Sequence, residues 1–287
     1  MIDAGASFEP HRRYLFGIAY RMLGSVAEAE DVIQDAFLRW DAADRSVVQE
    51  PRAFLARVVS RLGIDRMKSA RAQREHYVGT WLPEPLIDSA PPHDPVTLAE
   101  DLSIALLMTL ERLSPLERAA FLLHDVFDMD YAAIAEILDR SESAVRQLAT
   151  RGRDHVHDER PRFTATDEAT TRLASAFQAA IQVGDVPALA RMLADEAVLY
   201  SDGGGKRNAA LRPIYGRDKI LRLFVGLAAK RHLVMPRAMI ATTINGRPGF
   251  VVHTDDGIET LTLEISGEQI VAIYDVRNPD KLRHLAP

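Results

Sequence analysis

The sequence contains no cysteine, which excludes disulfide bonds, thiolate metal sites and cysteine nucleophiles. It also lacks any apolar run near the roughly 18 residues that a membrane-spanning helix needs. The N-terminal stretch MIDAGASFEPHRR has acids and no apolar core, so no signal peptide is predicted. We therefore expect a cytoplasmic protein that makes no membrane contact.

The chain has little net charge for its length, −6 over 287 residues, so any affinity for nucleic acid must be local. Charge is segregated: residues 28–44 carry six acids against one arginine, and residues 51–77 carry seven lysines and arginines against two acids. This pattern predicts two different partners, a basic surface for the first segment and phosphate backbone for the second. The alternative is that both segments are ordinary solvated helix faces.

The length and a hydrophobic fraction of 47% predict two or three globular domains. Residues 8–77 are expected to form an all-helical domain, because Ser25 to Glu28 is a capping-box pattern followed by an apolar stripe of helical period. Residues 78–96 hold five prolines and are predicted to be a stiff linker. A second helical domain is predicted over 97–160, with another capping box at Ser114 to Glu117.

Residues 130–156 predict a helix-turn-helix, with a tight turn at 139–141 and Ser141 as the N-cap of the second helix. Ile134, Ala135, Leu138, Val145 and Leu148 mark the inner faces of the two helices. Such a pair can place its second helix in the major groove of DNA, although a plain helical hairpin shows the same pattern. In that case we expect Ser141, Ser143, Ala144, Arg146 and Gln147 to contact the base edges of DNA, and Arg151 and Arg153 to contact its phosphates.

From residue 167 the pattern changes to helices followed by strands of alternating polarity, with hairpin turns at 245–246, 256–257 and 266–267. This order predicts an α+β domain over 167–287, with a curved antiparallel sheet over the helices. The run Gly203-Gly204-Gly205-Lys206 lacks the spacing of a phosphate loop. We expect instead a loop whose backbone approaches another segment closely.

These residues together resemble a known family. Residues 8–160 are similar to the two promoter-reading domains of bacterial extracytoplasmic-function sigma factors. Three segments carry this similarity: the run from Ala29 to Trp40, the helix from Arg57 to Arg71, and residues 114–156. The C-terminal part resembles a SnoaL-like domain. With WLPEP at 81–85, DGGGK at 202–206 and NPDKL at 278–282, the chain is similar to the subgroup whose fused SnoaL-like extension replaces a separate anti-sigma protein.

The resemblance implies three sets of site residues. Contact with core RNA polymerase, through the clamp of the β′ subunit, is implied for Asp31, Val32, Gln34, Asp35, Phe37 and Trp40. For Trp40, core packing is an equal alternative. Contact with the −10 promoter element is implied for Arg57, Arg61, Asp65, Arg66, Lys68 and Arg71. Contact with the −35 element is implied for Ser141, Ser143, Ala144, Arg146, Gln147, Arg151 and Arg153. The β flap is implied as a further polymerase contact.

The third set is regulatory and lies between domains: Trp81, Leu82, Pro83, Glu84, Pro85, Asp202, Gly203, Gly204, Gly205, Lys206, Asn278, Pro279, Asp280, Lys281 and Leu282. In the family, the glycine loop holds the linker, and a proline-fixed segment with one large aromatic side chain suits such docking.

We therefore expect a sigma factor that is modulated in cis, is monomeric when free, and uses no enzyme activity, cofactor or metal. An alternative is a ligand-sensing helix-turn-helix regulator that acts without polymerase. A further alternative is a fused cyclase or isomerase that uses Asp275, His253 or Asp202, although no paired acid and base stand at a telling spacing. The sequence offers no support for a small-molecule ligand of the C-terminal domain.

Overall fold

The computed structural model describes residues 4–74, 76–87, 102–159, 166–229 and 236–285. The chain divides into two compact units, one made of Met1–Glu75 with Ala105–Arg160 and the other of His76–Ile104 with Pro161–Pro287. The described part of the predicted linker, residues 78–87, therefore belongs to the same unit as the C-terminal domain. Its remaining residues, 88–96, lie outside the described part of the chain.

The first unit is helical in all its long elements. The helices are α1 Ala4–Leu23, α2 Val26–Ala42, α3 Pro51–Arg74, α4 Ile104–Glu111, α5 Pro115–Phe121, α6 Tyr131–Leu138 and α7 Glu142–Glu159. A π-helical turn, Leu122–Val126, continues α5. The predicted all-α character of this part of the chain is confirmed.

Local capping explains where these helices begin. Ser25 Oγ accepts a hydrogen bond from the Glu28 amide at 3.2 Å, and Ser114 and Glu117 form a reciprocal capping box. Ser141 Oγ accepts from the Ala144 amide at 3.3 Å, as the sequence predicts for the start of α7. Asp139, which ends α6, adopts the left-handed conformation with φ 53°, and this makes the turn of the helix-turn-helix sharp.

A buried cation ties the two halves of this unit together. Arg118 on α5 is 2% exposed, and its Nε and Nη2 donate to the carbonyl oxygen of Arg21 on α1 over 3.2 and 3.0 Å. Its Nη1 lies 2.9 Å from Glu111 Oε2. Because a buried charge is tolerated only when it is paired and hydrogen-bonded, Arg118 fixes α1, α4 and α5 in one arrangement.

The second unit is α+β, as predicted. Its elements are α8 Asp167–Val183, α9 Val186–Met192, β1 Leu193–Asp202, β2 Ile214–Tyr215, α10 Arg217–Ala229, β3 Ala238–Ile244, β4 Arg247–Thr254, β5 Gly257–Ser266 and β6 Gln269–Val276. They form one sheet in the order β2-β1-β6-β5-β4-β3. Strands β3 to β6 are an antiparallel meander, but β1 pairs with β6 in parallel, so the sheet is mixed rather than wholly antiparallel.

The core of this unit lies between the sheet and helices α8 to α10. Phe177 of α8 stacks near Phe250 of β4, with ring centroids 6.1 Å apart, and Ile220 of α10 is fully buried. No helix within the described ranges is both long and apolar enough to cross a membrane.

One acid is buried in the sheet of the second unit. Glu264 on β5 is 1% exposed, and burial raises its pKa to about 7, although Arg247 Nε lies only 2.9 Å from its Oε1 and lowers it in part. Desolvation of the charged form therefore outweighs the attraction of the arginine.

This shift predicts a pH dependence of stability. Between its ordinary pKa of 4.5 and a folded pKa of about 7, the folded chain keeps a proton that the unfolded chain has lost, so stability falls as the pH rises through this window. We expect Glu264→Gln to remove up to roughly 3 kcal/mol of that fall. Calorimetric unfolding between pH 4.5 and 8 measures it. Glu268→Gln, whose side chain is 79% exposed, is the matched control, and equal slopes for the two variants would contradict the assignment.

Candidate functional sites

The first attachment of the linker segment to the C-terminal domain is a buried carboxylate, that of Asp202 at the end of β1. Its Oδ1 accepts from the Tyr77 hydroxyl at 2.5 Å and from the Gly204 amide at 3.0 Å. Its Oδ2 accepts from the Leu82 amide at 2.8 Å and from Lys281 Nζ at 2.7 Å. One fully buried side chain therefore binds the linker backbone, the Tyr77 side chain directly before the linker, its own loop and the C-terminal segment.

Lys281 completes this cluster, which we call the linker clamp (Tyr77, Trp81, Leu82, Asp202, Asn278 and Lys281). Its ammonium group also donates to the Leu82 carbonyl oxygen and lies 4.3 Å from the Trp81 ring centroid and 4.9 Å from that of Tyr77. Because the ammonium is surrounded by a carboxylate, a carbonyl and two aromatic faces, its burial is compensated on several sides.

The glycine loop can approach the clamp because it lacks side chains. Gly204 has φ +59°, and a Cβ atom placed there would stand 2.2 Å from Asn278 Nδ2. Asn278 Nδ2 in turn donates to the Tyr77 hydroxyl at 2.8 Å. A side chain at position 204 is therefore excluded both by the backbone conformation and by the close packing of Asn278, in the motif of residues 278–282.

The linker has a second attachment further along. Asn245, in the turn after β3, donates its backbone amide to the Leu86 carbonyl at 2.8 Å and accepts the Leu86 amide at its Oδ1 at 3.0 Å. Ile87 forms an antiparallel bridge with Ile244. The Nε2 of His284 donates to the Pro85 carbonyl over 2.9 Å. The linker is thus held at both ends of its proline-rich stretch.

The structure brings the three predicted motifs of residues 81–85, 202–206 and 278–282 together, but sequence reasoning missed several of their partners. Tyr77 was assigned to the end of the first helical domain, and Asn245 and His284 were not singled out. The signal available for Tyr77 was an aromatic residue directly before the linker. For Asn245, the hairpin signal Asn-Gly explained the residue without a partner.

The predicted acidic face of α2 is only partly available to a partner. Asp31 and Gln34 are exposed, and Asp35 and Phe37 are half-buried. Val32 and Trp40 lie in the core, and Trp40 Nε1 donates to Ser7 Oγ at 3.1 Å. Both side chains face the interior because they belong to the apolar stripe that packs α2, which for Trp40 is the core-packing alternative.

The acidic and basic segments pair with each other. Arg66 of α3 lies 3.1 Å from Asp31 and 3.2 Å from Asp35, so the arginine expected at DNA bridges the two acids expected at a protein partner. Lys68 pairs with Asp65 at 3.4 Å. The side chain of Arg71 lies outside the described residues.

Two arginines of the basic helix contact the helix-turn-helix. Arg57 Nη2 lies 2.9 Å from Glu136 Oε2. Arg61 Nη2 donates to the Glu136 carbonyl at 2.7 Å, and its Nε donates to the Ile137 carbonyl at 3.4 Å. These carbonyls belong to the last turn of α6, where the helix dipole favours a cation. The guanidinium groups expected at DNA are thus occupied inside the first unit.

The second helix of the helix-turn-helix, α7, presents its first turns to solvent. Ser141, Ser143 and Gln147 are exposed, and Ala144 is half-buried. Arg146 pairs with Glu142 and lies over the Tyr131 ring, 4.4 Å from its centroid. Arg153 Nε donates to Asp125 at 2.7 Å, and Arg151 is exposed. Val145 is buried as predicted, and Ile137 of α6 is a core residue that the sequence reading had not named.

Comparison with known proteins supports the family resemblance. Residues 8–73 match the family model of sigma-70 region 2, and residues 103–156 match that of sigma-70 region 4. The chain is 36% identical over 288 residues to the ECF RNA polymerase sigma factor SigJ of Mycobacterium tuberculosis, covering 96% of this chain and 92% of the relative. It is 31% identical to the probable ECF RNA polymerase sigma factor SigI of the same species, covering 96% and 94%. The crystal structure of M. tuberculosis SigJ matches with a TM-score of 0.79, covering 97% of this chain and 98% of that one.

The clamp geometry predicts unequal effects of two like substitutions. Asp202→Asn deprives the buried Lys281 ammonium of its carboxylate, and breaking such a buried pair costs roughly 3–5 kcal/mol. Asp280→Asn, the matched control, removes ion pairs with the exposed side chains of Lys206 and Arg283 and should cost under about 1 kcal/mol. Urea unfolding of the full chain measures both, and similar losses would contradict the central role of Asp202.

Proposed function

We propose that this chain, which belongs to the extracytoplasmic-function family of RNA polymerase sigma factors and so directs promoter-specific initiation with core RNA polymerase, divides that task among four segments. Residues 8–77 bind core polymerase and the −10 element, and residues 97–160 bind the −35 element. Residues 78–96 link the two, and residues 167–287 regulate them in cis. The chain is a transcription initiation factor and not an enzyme, and we infer that it acts in the cytoplasm.

The polymerase contact is assigned to the exposed edge of α2. Asp31, Gln34 and Asp35 offer acceptors to a basic surface, with Phe37 beside them, and the clamp of the β′ subunit is the proposed partner. The orientation of the two carboxylates by Arg66 supports this role, because a held carboxylate loses less side-chain entropy on binding. The β flap is the proposed partner of the second helical domain.

The observation that carries the proposal for DNA is the exposed start of α7. Its polar side chains are exposed to solvent, while Val145 on the inner face is buried. The left-handed conformation of Asp139 sets the angle between α6 and α7. A helix of this kind reads base edges from its first turns and contacts phosphates further along. Ser141, Ser143, Ala144, Arg146 and Gln147 are therefore proposed to face bases, and Arg151 and Arg153 to face phosphates.

The −10 element is assigned to α3, through Arg57, Arg61, Asp65, Arg66, Lys68 and Arg71. Arg57 and Arg61 are engaged by α6, so part of the proposed −10 surface is occupied while the start of α7 stays exposed. We propose that this is a closed state that polymerase opens. The contacts are exposed or half-exposed ion pairs and hydrogen bonds, each worth about 1 kcal/mol or less, so a larger interface can displace them.

Cis regulation is assigned to the linker clamp. The C-terminal domain holds residues 77–87, and the length of linker left between the two promoter readers depends on that hold. A clamped linker restricts the separations that the readers can adopt, whereas a released linker is longer and more flexible.

Opening of the closed state can be followed by fluorescence energy transfer, because the chain has no native cysteine. Val47→Cys and Arg140→Cys place dyes on exposed positions of the two promoter-reading regions. We expect high transfer in the chain alone and a clear fall when core polymerase is added, since Arg57 and Arg61 must leave α6.

A doubly labelled chain that also carries Asp31→Asn and Asp35→Asn serves as the control and should stay at high transfer at the same polymerase concentration. Transfer that does not change on formation of the wild-type holoenzyme would contradict the closed state. In parallel, Asp202→Asn should alter the yield of promoter-dependent transcript relative to Asp255→Asn, which removes only a surface ion pair with Arg237, and equal yields would contradict regulation through the clamp.

In vitro transcription with core polymerase distinguishes base reading from phosphate contact on α7. Gln147→Ala should lower discrimination at one base pair by about 1–3 kcal/mol, whereas Arg151→Ala should weaken all promoters by a similar factor and reduce the salt dependence. Transcription from a panel of −35 variants at two salt concentrations measures both. Tight and specific binding of promoter DNA without polymerase would instead favour an independent regulator.

A further inference from the structure

A cavity of about 340 Å³ lies inside the C-terminal unit, between the inner face of the sheet and helix α10. Most of its wall is apolar, including Leu199, Met239, Val252, Leu223 and Phe224. This volume lies at the lower end of the range in which proteins bind small molecules. The cavity contains none of the residues assigned to polymerase or DNA.

Polar groups gather at one end of the cavity. Ser201 Oγ donates to Asp275 Oδ2 over 2.7 Å, while Asp275 Oδ1 is buried without a hydrogen-bond partner among the described residues. Arg277 stands beside them, with its Nε 2.8 Å from Glu259 Oε2 and its Nη1 donating to the Asn208 carbonyl at 2.6 Å. A buried acceptor without a donor is costly, and a ligand that supplies one would recover that cost.

The charged groups at this end are already engaged with one another. Arg277 and Arg207 both lie against Glu259, at 2.8 and 3.6 Å. Burial, reinforced by the charge of Glu259, raises the pKa of Asp275, so its carboxyl group keeps much of its proton near neutral pH. An ionic ligand would lose its hydration without gaining an uncommitted counter-ion.

A carboxyl group that is partly protonated both donates and accepts hydrogen bonds, and the Ser201 hydroxyl does the same. The ligand group that matches both is a hydroxyl, because it can donate to the ionised acid and accept from the protonated one. An apolar body is required by the rest of the wall.

We propose that this cavity is a binding site for an uncharged, mainly apolar molecule, about the size of two fused six-membered rings, with a hydroxyl group directed at Ser201 and Asp275. This site is separate from the linker clamp, and the proposal does not depend on the promoter-reading roles.

Titration of the full-length chain with 2-naphthol tests the proposal, since its fluorescence reports its environment and calorimetry gives the stoichiometry. We expect saturable binding at about one molecule per chain. 2-Methylnaphthalene has the same shape without the hydroxyl and should bind about tenfold more weakly, because it leaves Asp275 without a donor. 2-Naphthoate, the anionic analogue, should also bind at least about tenfold more weakly.

Three variants locate the site. Leu223→Trp fills the cavity and should abolish 2-naphthol binding. Val225, on the same helix, is 48% exposed, so Val225→Trp should leave binding unchanged. Asp275→Leu keeps an apolar wall but removes the polar end, so 2-naphthol should lose its preference over 2-methylnaphthalene. Thermal unfolding of each variant establishes that it is folded.

Three results would overturn the proposal: no saturable binding of 2-naphthol to the wild-type chain, equal binding to the Leu223→Trp and Val225→Trp chains, or tighter binding of 2-naphthoate than of 2-naphthol. If Leu223→Trp does not fold, retention of the 2-naphthol preference in folded Asp275→Leu is sufficient to reject the assigned polar end.

Discussion

The buried ion pair between Asp202 and Lys281 is the interaction on which the rest of the second unit's functional arrangement depends. The carboxylate accepts four hydrogen bonds, and two of them come from Leu82 of the linker and from Tyr77 directly before it. The ion pair joins the end of β1 to the C-terminal turn, and both of its charged groups also bind Leu82, so the hold on the linker depends on this pair.

Exposed charge pairs in the first unit have the opposite character. Arg66 bridges Asp31 and Asp35, and Arg57 and Arg61 rest on the last turn of α6. Each contact is weak because it is near solvent, so these residues are held in place yet remain exchangeable. The strong interaction therefore fixes the linker, and the weak ones keep the proposed polymerase and DNA contacts available to larger partners.

Strand alternation relates the linker clamp to the cavity. Ser201 faces the cavity and its neighbour Asp202 faces the linker, while Asp275 and Arg277 line the cavity and Asn278 belongs to the clamp. Successive side chains of a strand point to opposite faces, so two sites share the ends of β1 and β6 without sharing residues. The parallel pairing of these two strands places both carboxyl ends at the same edge of the sheet.

The sequence by itself determined the starts of α2, α5 and α7, the helix-turn-helix, the hairpins and the family, because capping, period and turn chemistry are local and the three short motifs are specific. It also indicated which motifs belong together. Only the tertiary structure decided that Arg66 pairs with the acids of α2, that Val32 and Trp40 are core, that Tyr77 joins the clamp and that β1 runs parallel to β6. These facts depend on contacts between residues far apart in the chain, where a charge or an aromatic ring has many possible partners and local pattern does not select among them.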